Sequence, residues 1–206
     1  MCGRYVITNP VTKTKKIVKS AINTNDIENY NAHPYQELPV IKKYTNGNTL
    51  EKLKWGMIPS WSKKKDFKPL INARLETIDE KISFKQLIKQ SRCVAVADGF
   101  YEWKREEKNK TPYYFFREDK KTVYIAGIYE NNEFCLITES ASENVKTIHH
   151  RQPVILNEGD INRYLNLELS GSNFLRESKK TKLSFYEVSK DVNKPTNNSI
   201  SLIQKL

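Results

Sequence analysis

Between residues 93 and 140 four runs of apolar, β-branched and aromatic residues follow one another with no helix-period segment between them. They are CVAVADGFYEW (93–103), TPYYFFR (111–117), TVYIAGIYE (122–130) and EFCLITES (133–140). Such residues fit a pleated, half-buried surface, and Asn131-Asn132 offers a turn that joins the last two runs as a hairpin. Further strands are expected at GRYVIT (3–8), in part of LKWGMIPSW (53–61) before the break at Gly56 and Pro59, and at SFYEVS (184–189), with a short apolar PVIL (153–156). Asn46-Gly47 is a hairpin turn signal. Helices are fewer: a basic one over 12–22, a turn or helix over 141–149, and one over 159–169 with Asp160 as its cap. Thr77 and Glu80 have capping-box spacing, and Ile78, Ile82, Leu87 and Ile88 fit one helical face to about residue 90. Residues 25–40, punctuated by Pro34 and Pro39, read as an ordered loop; 62–68 and 191–199 also read as loops. Many short strands, few helices and no regular alternation argue against a doubly wound sheet. The expectation is an α+β fold: a single mixed domain over 2–206, built around a curved sheet or open β-barrel with peripheral helices.

Charge narrows the partners. Lys plus Arg total 35 against 24 Asp plus Glu, a formal charge of +11, which favours an anionic partner such as nucleic acid or an acidic membrane surface. The basic residues are scattered, at Lys13, Lys15, Lys16 and Lys19, at Lys63, Lys64, Lys65 and Lys68, at Lys104, Arg105, Lys108 and Lys110, and at Arg176, Lys179, Lys180 and Lys182. Any patch must therefore be assembled by folding. A hydrophobic fraction of 38% is low, but 11 Tyr, 8 Phe and 3 Trp supply a core. Cys2, Cys93 and Cys135 make neither a disulfide framework nor a zinc cluster, and Cys93 and Cys135 fall in strand runs as core residues. The start, MCGRYVITNP, lacks the apolar core and basic leader of a signal peptide, and no stretch reaches the roughly 20 apolar residues that span a bilayer. An intracellular protein, cytoplasmic or nucleoid-associated, with no membrane partner, cofactor or metal is expected.

Four segments carry a resemblance: MCGRY (1–5), INARLET (71–77), ADGFYEW (97–103) and IHHRQPVIL (148–156), supported by NAHP (31–34) and WGMIPSW (55–61). Together, in this order and spanning residues 1 to about 165, they resemble the SRAP family, the SOS-response-associated peptidases also described as abasic-site processing proteins. The resemblance implies that Met1 is removed and that Cys2 then crosslinks to an abasic site in single-stranded DNA, shielding the lesion. It carries catalytic roles onto Cys2, Asn72, Glu102 and His149, and DNA contacts onto Arg4, Pro34, Trp61 and Arg74. A monomer acting on single-stranded DNA with abasic sites is expected, with weak lyase and self-processing peptidase activity as further possibilities. The chain departs from the family in having His150 where Asp is usual and Gln152 where Met is usual; the register of Arg151 and Pro153 keeps the catalytic role on His149.

The residue types suit this chemistry. A free α-amine has a pKa of about 7.7 to 8.0 and condenses with an aldehyde to a Schiff base; a thiol two atoms along closes the five-membered thiazolidine. A lysine stops at the imine, and an internal cysteine has no amine to offer. A free cysteine is most often a small buried residue; at position 2 that default is weaker, because termini tend to lie at the surface. Alternation places Phe100 and Glu102 on one strand face, Tyr101 and Trp103 on the other. His149 can move a proton near neutral pH, Asn72 orients without adding charge, and Arg4 and Arg74 bear donor forks suited to phosphate. Taken singly, Glu102 also reads as a solvated strand residue, His149 as structural, Asn72 as a cap, the arginines as surface ion pairs and the tryptophans as core. Two other functions fit the same residues: a cysteine hydrolase with an N-terminal nucleophile, and a non-covalent single-stranded DNA-binding module.

Overall fold

The computed structural model describes residues 2–64, 66–107 and 109–206; Met1 and two lysines named above, Lys65 and Lys108, lie outside the described residues. In chain order the strands are β1 (Tyr5–Thr8), β2 (Ser20–Ile22), β3 (Glu28–Ala32), β4 (Glu37–Tyr44), β5 (Gly47–Trp55), β6 (Asn72–Arg74) and β7 (Arg92–Ala97). They continue as β8 (Gly99–Glu106), β9 (Asn109–Arg117), β10 (Val123–Glu130), β11 (Glu133–Ser140), β12 (Arg151–Pro153), β13 (Ile155–Leu156) and β14 (Leu183–Glu187). The helices are short: α1 (Pro10–Thr14), α2 (Leu87–Gln90), α3 (Glu143–Lys146), α4 (Glu158–Leu165) and α5 (Asn173–Glu177). No helix among the described residues is long and apolar enough to cross a membrane.

The strands form two sheets, ordered β14-β9-β8-β1-β3 and β12-β11-β10-β7-β4-β5-β2, with β13 and β6 attached to β10 and β11. The larger sheet curls until β11 meets β5 in parallel at Glu133↔Lys54 and Phe134↔Trp55, but it does not close into a barrel. The α+β expectation of a curved, open sheet with peripheral helices is therefore met. Both hairpins foreseen from their turns form, β4–β5 through Tyr44↔Gly47 and β10–β11 through Glu130↔Glu133. Gly99 opens β8 where any Cβ would lie 2.3 Å from the Phe115 carbonyl oxygen.

β8 is buried on both faces. Phe100 packs into the main core with Trp55, Phe115 and Phe134, whereas Tyr101 enters a second cluster with Val6, Tyr30, Tyr114, Val192 and Leu202. That second cluster exists because the C-terminal segment straps across β1 and β3. Asn31 Nδ2 donates to the carbonyls of Val192, Lys194 and Asn197, and the Tyr30 N–H donates to Asn198 Oδ1 at 2.7 Å.

Four local expectations fail, each through a tertiary contact. The helix over 12–22 stops at Thr14, because Ile17 and Val18 turn onto the core and residues 20–22 pair with β5. The loop over 25–40 contains β3 and the start of β4. Pro39 is tolerated there because pairing with β7 begins only at Val40. The helix from Thr77 to residue 90 shrinks to a 3-10 turn (Leu75–Thr77) and α2, since Asp79 is drawn into hydrogen bonds with Ser172 and Ile82 is left exposed. Finally α4 begins after Asn157 rather than at an Asp160 cap.

Candidate active site

β1 lies between β8 and β3, with Tyr5↔Phe100 and Val6↔Gly99 in register. The Tyr101 N–H donates to the Arg4 carbonyl, which carries the pairing toward the N-terminus and sets Gly3 beside Glu102. Residue 2 is thereby held, but not at the surface: Cys2 is 0% exposed and belongs to the main core. The ordinary burial of a free cysteine is kept here despite the terminal position. The physical reason is that an interior strand begins only three residues on. The Cys2 thiol faces the Arg4 carbonyl oxygen at 3.9 Å, and burial pushes its pKa far up.

The other three residues given a catalytic role gather around it. Asn72, which opens β6 opposite Leu136, donates from Nδ2 to the Cys2 carbonyl oxygen at 2.9 Å. Its Oδ1 is buried with no hydrogen-bond partner among the described residues. Glu102 is 3% exposed, and burial raises its carboxyl pKa. His149 follows α3, its N–H bonded to the Val145 carbonyl, and its Nε2 stands 3.8 Å from Glu102 Oε2. Its Nδ1 lies 3.1 Å from both the carbonyl oxygen and the N–H nitrogen of Arg151, so the tautomer is open. Burial lowers the His149 pKa. Carboxyl and imidazole are thus pushed in opposite directions, each toward its neutral form, as suits a pair that passes protons. The His150 ring stacks on His149 at 4.5 Å.

These groups border a groove. Gly3, Glu102, Trp103, Arg105, Lys110 and His149 line a cleft of about 510 Å³. Two adjoining hollows, of about 420 and 410 Å³, extend it past Lys146, His150, Arg74 and Arg151. Cys2 lies behind the lining, not in it. Trp103 donates from Nε1 to Asn193 Oδ1 at 2.7 Å, and Lys110 Nζ sits over its ring at 4.7 Å.

The residues given DNA contacts fare unequally. Arg74 is exposed on the groove. Arg4 reaches the cleft, but its guanidinium donates to Asn31 Oδ1 and the Val192 carbonyl, both at 2.7 Å, and so also fastens the C-terminal strap. Trp61 is 49% exposed, edge-on to Phe67; neither it nor the half-buried Pro34 lines the groove. Trp103, Arg105, Lys110 and Lys146 were not singled out as site residues. Arg105 and Lys110 stood in the sequence only as members of a scattered basic cluster, and Trp103 only as a strand face.

A cleft between an N-terminal strand, GFYEW on β8 and a histidine loop before β12 defines a family. The chain belongs to the SOS response associated peptidase (SRAP) family, whose model matches residues 1–195. It is 35% identical to the abasic site processing protein YoqW of Bacillus subtilis, over 99% of each chain. It is 27% identical to the abasic site processing protein YedK of Escherichia coli, again over 99% of each. A solved protein from Bacteroides thetaiotaomicron shares the fold with a TM-score of 0.84 at 24% identity, covering 100% of both chains.

Proposed function

We propose that this protein processes abasic sites in single-stranded DNA by forming a covalent link to them through Cys2 once Met1 has been removed. The observation that carries the reading is that Asn72 holds residue 2 while Glu102 and His149 stand 3.8 Å apart in the basic cleft beside Gly3. The freed α-amine attacks the open-chain aldehyde of the abasic sugar, and water leaves as the Schiff base forms. The Cys2 sulfur then bonds to the imine carbon, its proton passes to the nitrogen, and a thiazolidine results. Glu102 and His149 move the protons of these steps. The buried Asn72 Oδ1 is an acceptor suited to a donor such as the amine. Arg74, Arg105, Lys110 and Lys146 take DNA phosphates, and Trp103 offers a face to a neighbouring base.

The buried thiol, its pKa pushed up by burial, suits a mechanism in which the amine acts first. The names of the relatives, abasic site processing proteins, support the same reading. The Schiff base also permits β-elimination, so weak lyase activity belongs to the proposal, as does self-removal of Met1. A monomer acting alone belongs to the proposal as well.

The test pairs intact mass of the protein with a denaturing gel of its mixture with single-stranded DNA bearing one abasic site. Protein lacking Met1 is expected to give a heat-stable adduct on the abasic strand alone, absent in Cys2→Ala. Tight binding without an adduct would leave only a non-covalent binding module.

A further inference from the structure

A second, wider hollow of about 930 Å³ opens between the turn after α1, the β4–β5 hairpin and α4. It shares no lining residue with the groove around Glu102 and His149. Folding brings Lys43 to Lys15, Lys16 and Lys19 here, and all four are exposed. The turn is fixed by the Lys19 N–H donating to the Asn48 carbonyl at 2.8 Å. Gly47, at φ +131°, lets the Lys19 stem lie where a Cβ would stand.

Three features mark this hollow as more than solvated surface. No acidic residue among the described ones lines it. Lys13 and Lys42 nearby in sequence are ion-paired with Asp98 and Glu51, but these four lysines form no ion pair with a described residue; Asp26, the acid whose charge Lys15 influences, is bonded to Thr12. In the wall, Asn48 is 4% exposed. Its Nδ2 donates to Asn162 Oδ1 and the Ile17 carbonyl, while its Oδ1 has no partner among the described residues. It is a buried acceptor placed for a donor such as the ordered water of a wet phosphate interface. Finally, no aromatic ring lines the hollow, so unstacked bases find no platform of the kind single strands use.

We propose that this lysine-rimmed hollow grips the sugar-phosphate backbone of duplex DNA. The contact goes beyond the crosslinking reaction and does not depend on it. The experiment is a fluorescence-anisotropy titration of lesion-free duplex, and of single strand of equal length, over a range of salt. Three proteins are compared: wild type, K15E/K16E/K19E/K43E, and the charge-matched K81E/K85E/K89E/K205E, whose lysines are also exposed. The first variant is expected to lose duplex affinity about tenfold or more. Its plot of log affinity against log salt should be shallower by about 2–4, from about 0.9 per lost phosphate contact. The control variant should change far less. Equal losses in both variants, no loss in either, or a loss confined to single strand would each overturn the proposal. The glutamine version K15Q/K16Q/K19Q/K43Q, which adds no repulsion, should fall between wild type and the glutamate version. Crosslinking of a short abasic single strand by the same proteins reads the other proposal separately: its absence in wild type would sink that reading and leave the duplex result standing.

Discussion

At the scale of single residues, the site rests on a charge that the fold disfavours. Burial raises the Glu102 pKa, so between the unfolded and folded values the folded chain holds a proton that the unfolded chain has released. Stability therefore falls as pH rises through that interval. Glutamine has no charge to bury. Glu102→Gln should melt higher than wild type at neutral pH, by about 2–4 °C for each kcal/mol relieved, as read by thermal denaturation. The same change should slow crosslinking on the order of 10²-fold. The deficit should shrink as pH rises, because on the proposed mechanism the wild-type carboxyl loses the proton it donates. A rate deficit constant with pH would mean that Glu102 only positions its neighbours.

At the scale of elements, the loop carrying His149 is fastened at its far side. Arg151 on β12 donates to both Glu76 carboxylate oxygens, at 2.7 and 2.9 Å, and to the Thr138 carbonyl. Gln152 accepts from the N–H and hydroxyl of Ser142 ahead of α3. The Arg151 hydrogen bonds hold the Glu76 pKa down to about 2. Its stabilisation is therefore present above the ordinary carboxyl pKa and is lost as pH falls toward 2. Glu76→Gln should lower the melting temperature by about 2–4 °C at neutral pH, a modest value because Glu76 is partly exposed, and the gap should close in acid. An unchanged gap at low pH would assign the effect to packing. Elements of this kind were legible where their signals were local: β4–β5 and β10–β11 announced themselves through Asn46-Gly47 and Asn131-Asn132. They were illegible where a distant partner decides. Residues 20–22 become a strand only because β5 lies beside them, and β4 survives Pro39 only because β7 pairs one residue later. The gathering of Asn72 and Glu102 on residue 2 follows from β6 joining β11 and β1 entering beside β8, which no spacing reveals. Family motifs supplied those residues, whereas Arg105 and Lys110 stood only in a run of basic residues and Lys146 in no pattern at all.

For the whole molecule, the charge of +11 is in part organised into a groove beside the candidate active site. Arg105→Ala with Lys110→Ala should weaken single-strand binding alike for all sequences, and flatten the salt dependence by about 0.7 per lost contact. A sequence-selective loss in a binding titration would argue for base contacts instead. The strand order also imposes a schedule. β1 cannot be placed until β8 has been synthesised, nor strapped until residues 188–202 arrive. Before then residue 2 is open to a methionine aminopeptidase; afterwards it is buried directly behind the groove. Met1-retaining protein should be trimmed by an added methionine aminopeptidase when denatured and resist that enzyme when native, as read by intact mass. On the proposed reading, the reactive end is open to outside enzymes only while the chain is being made, and a molecule that folds with Met1 in place has only its own site left to remove it.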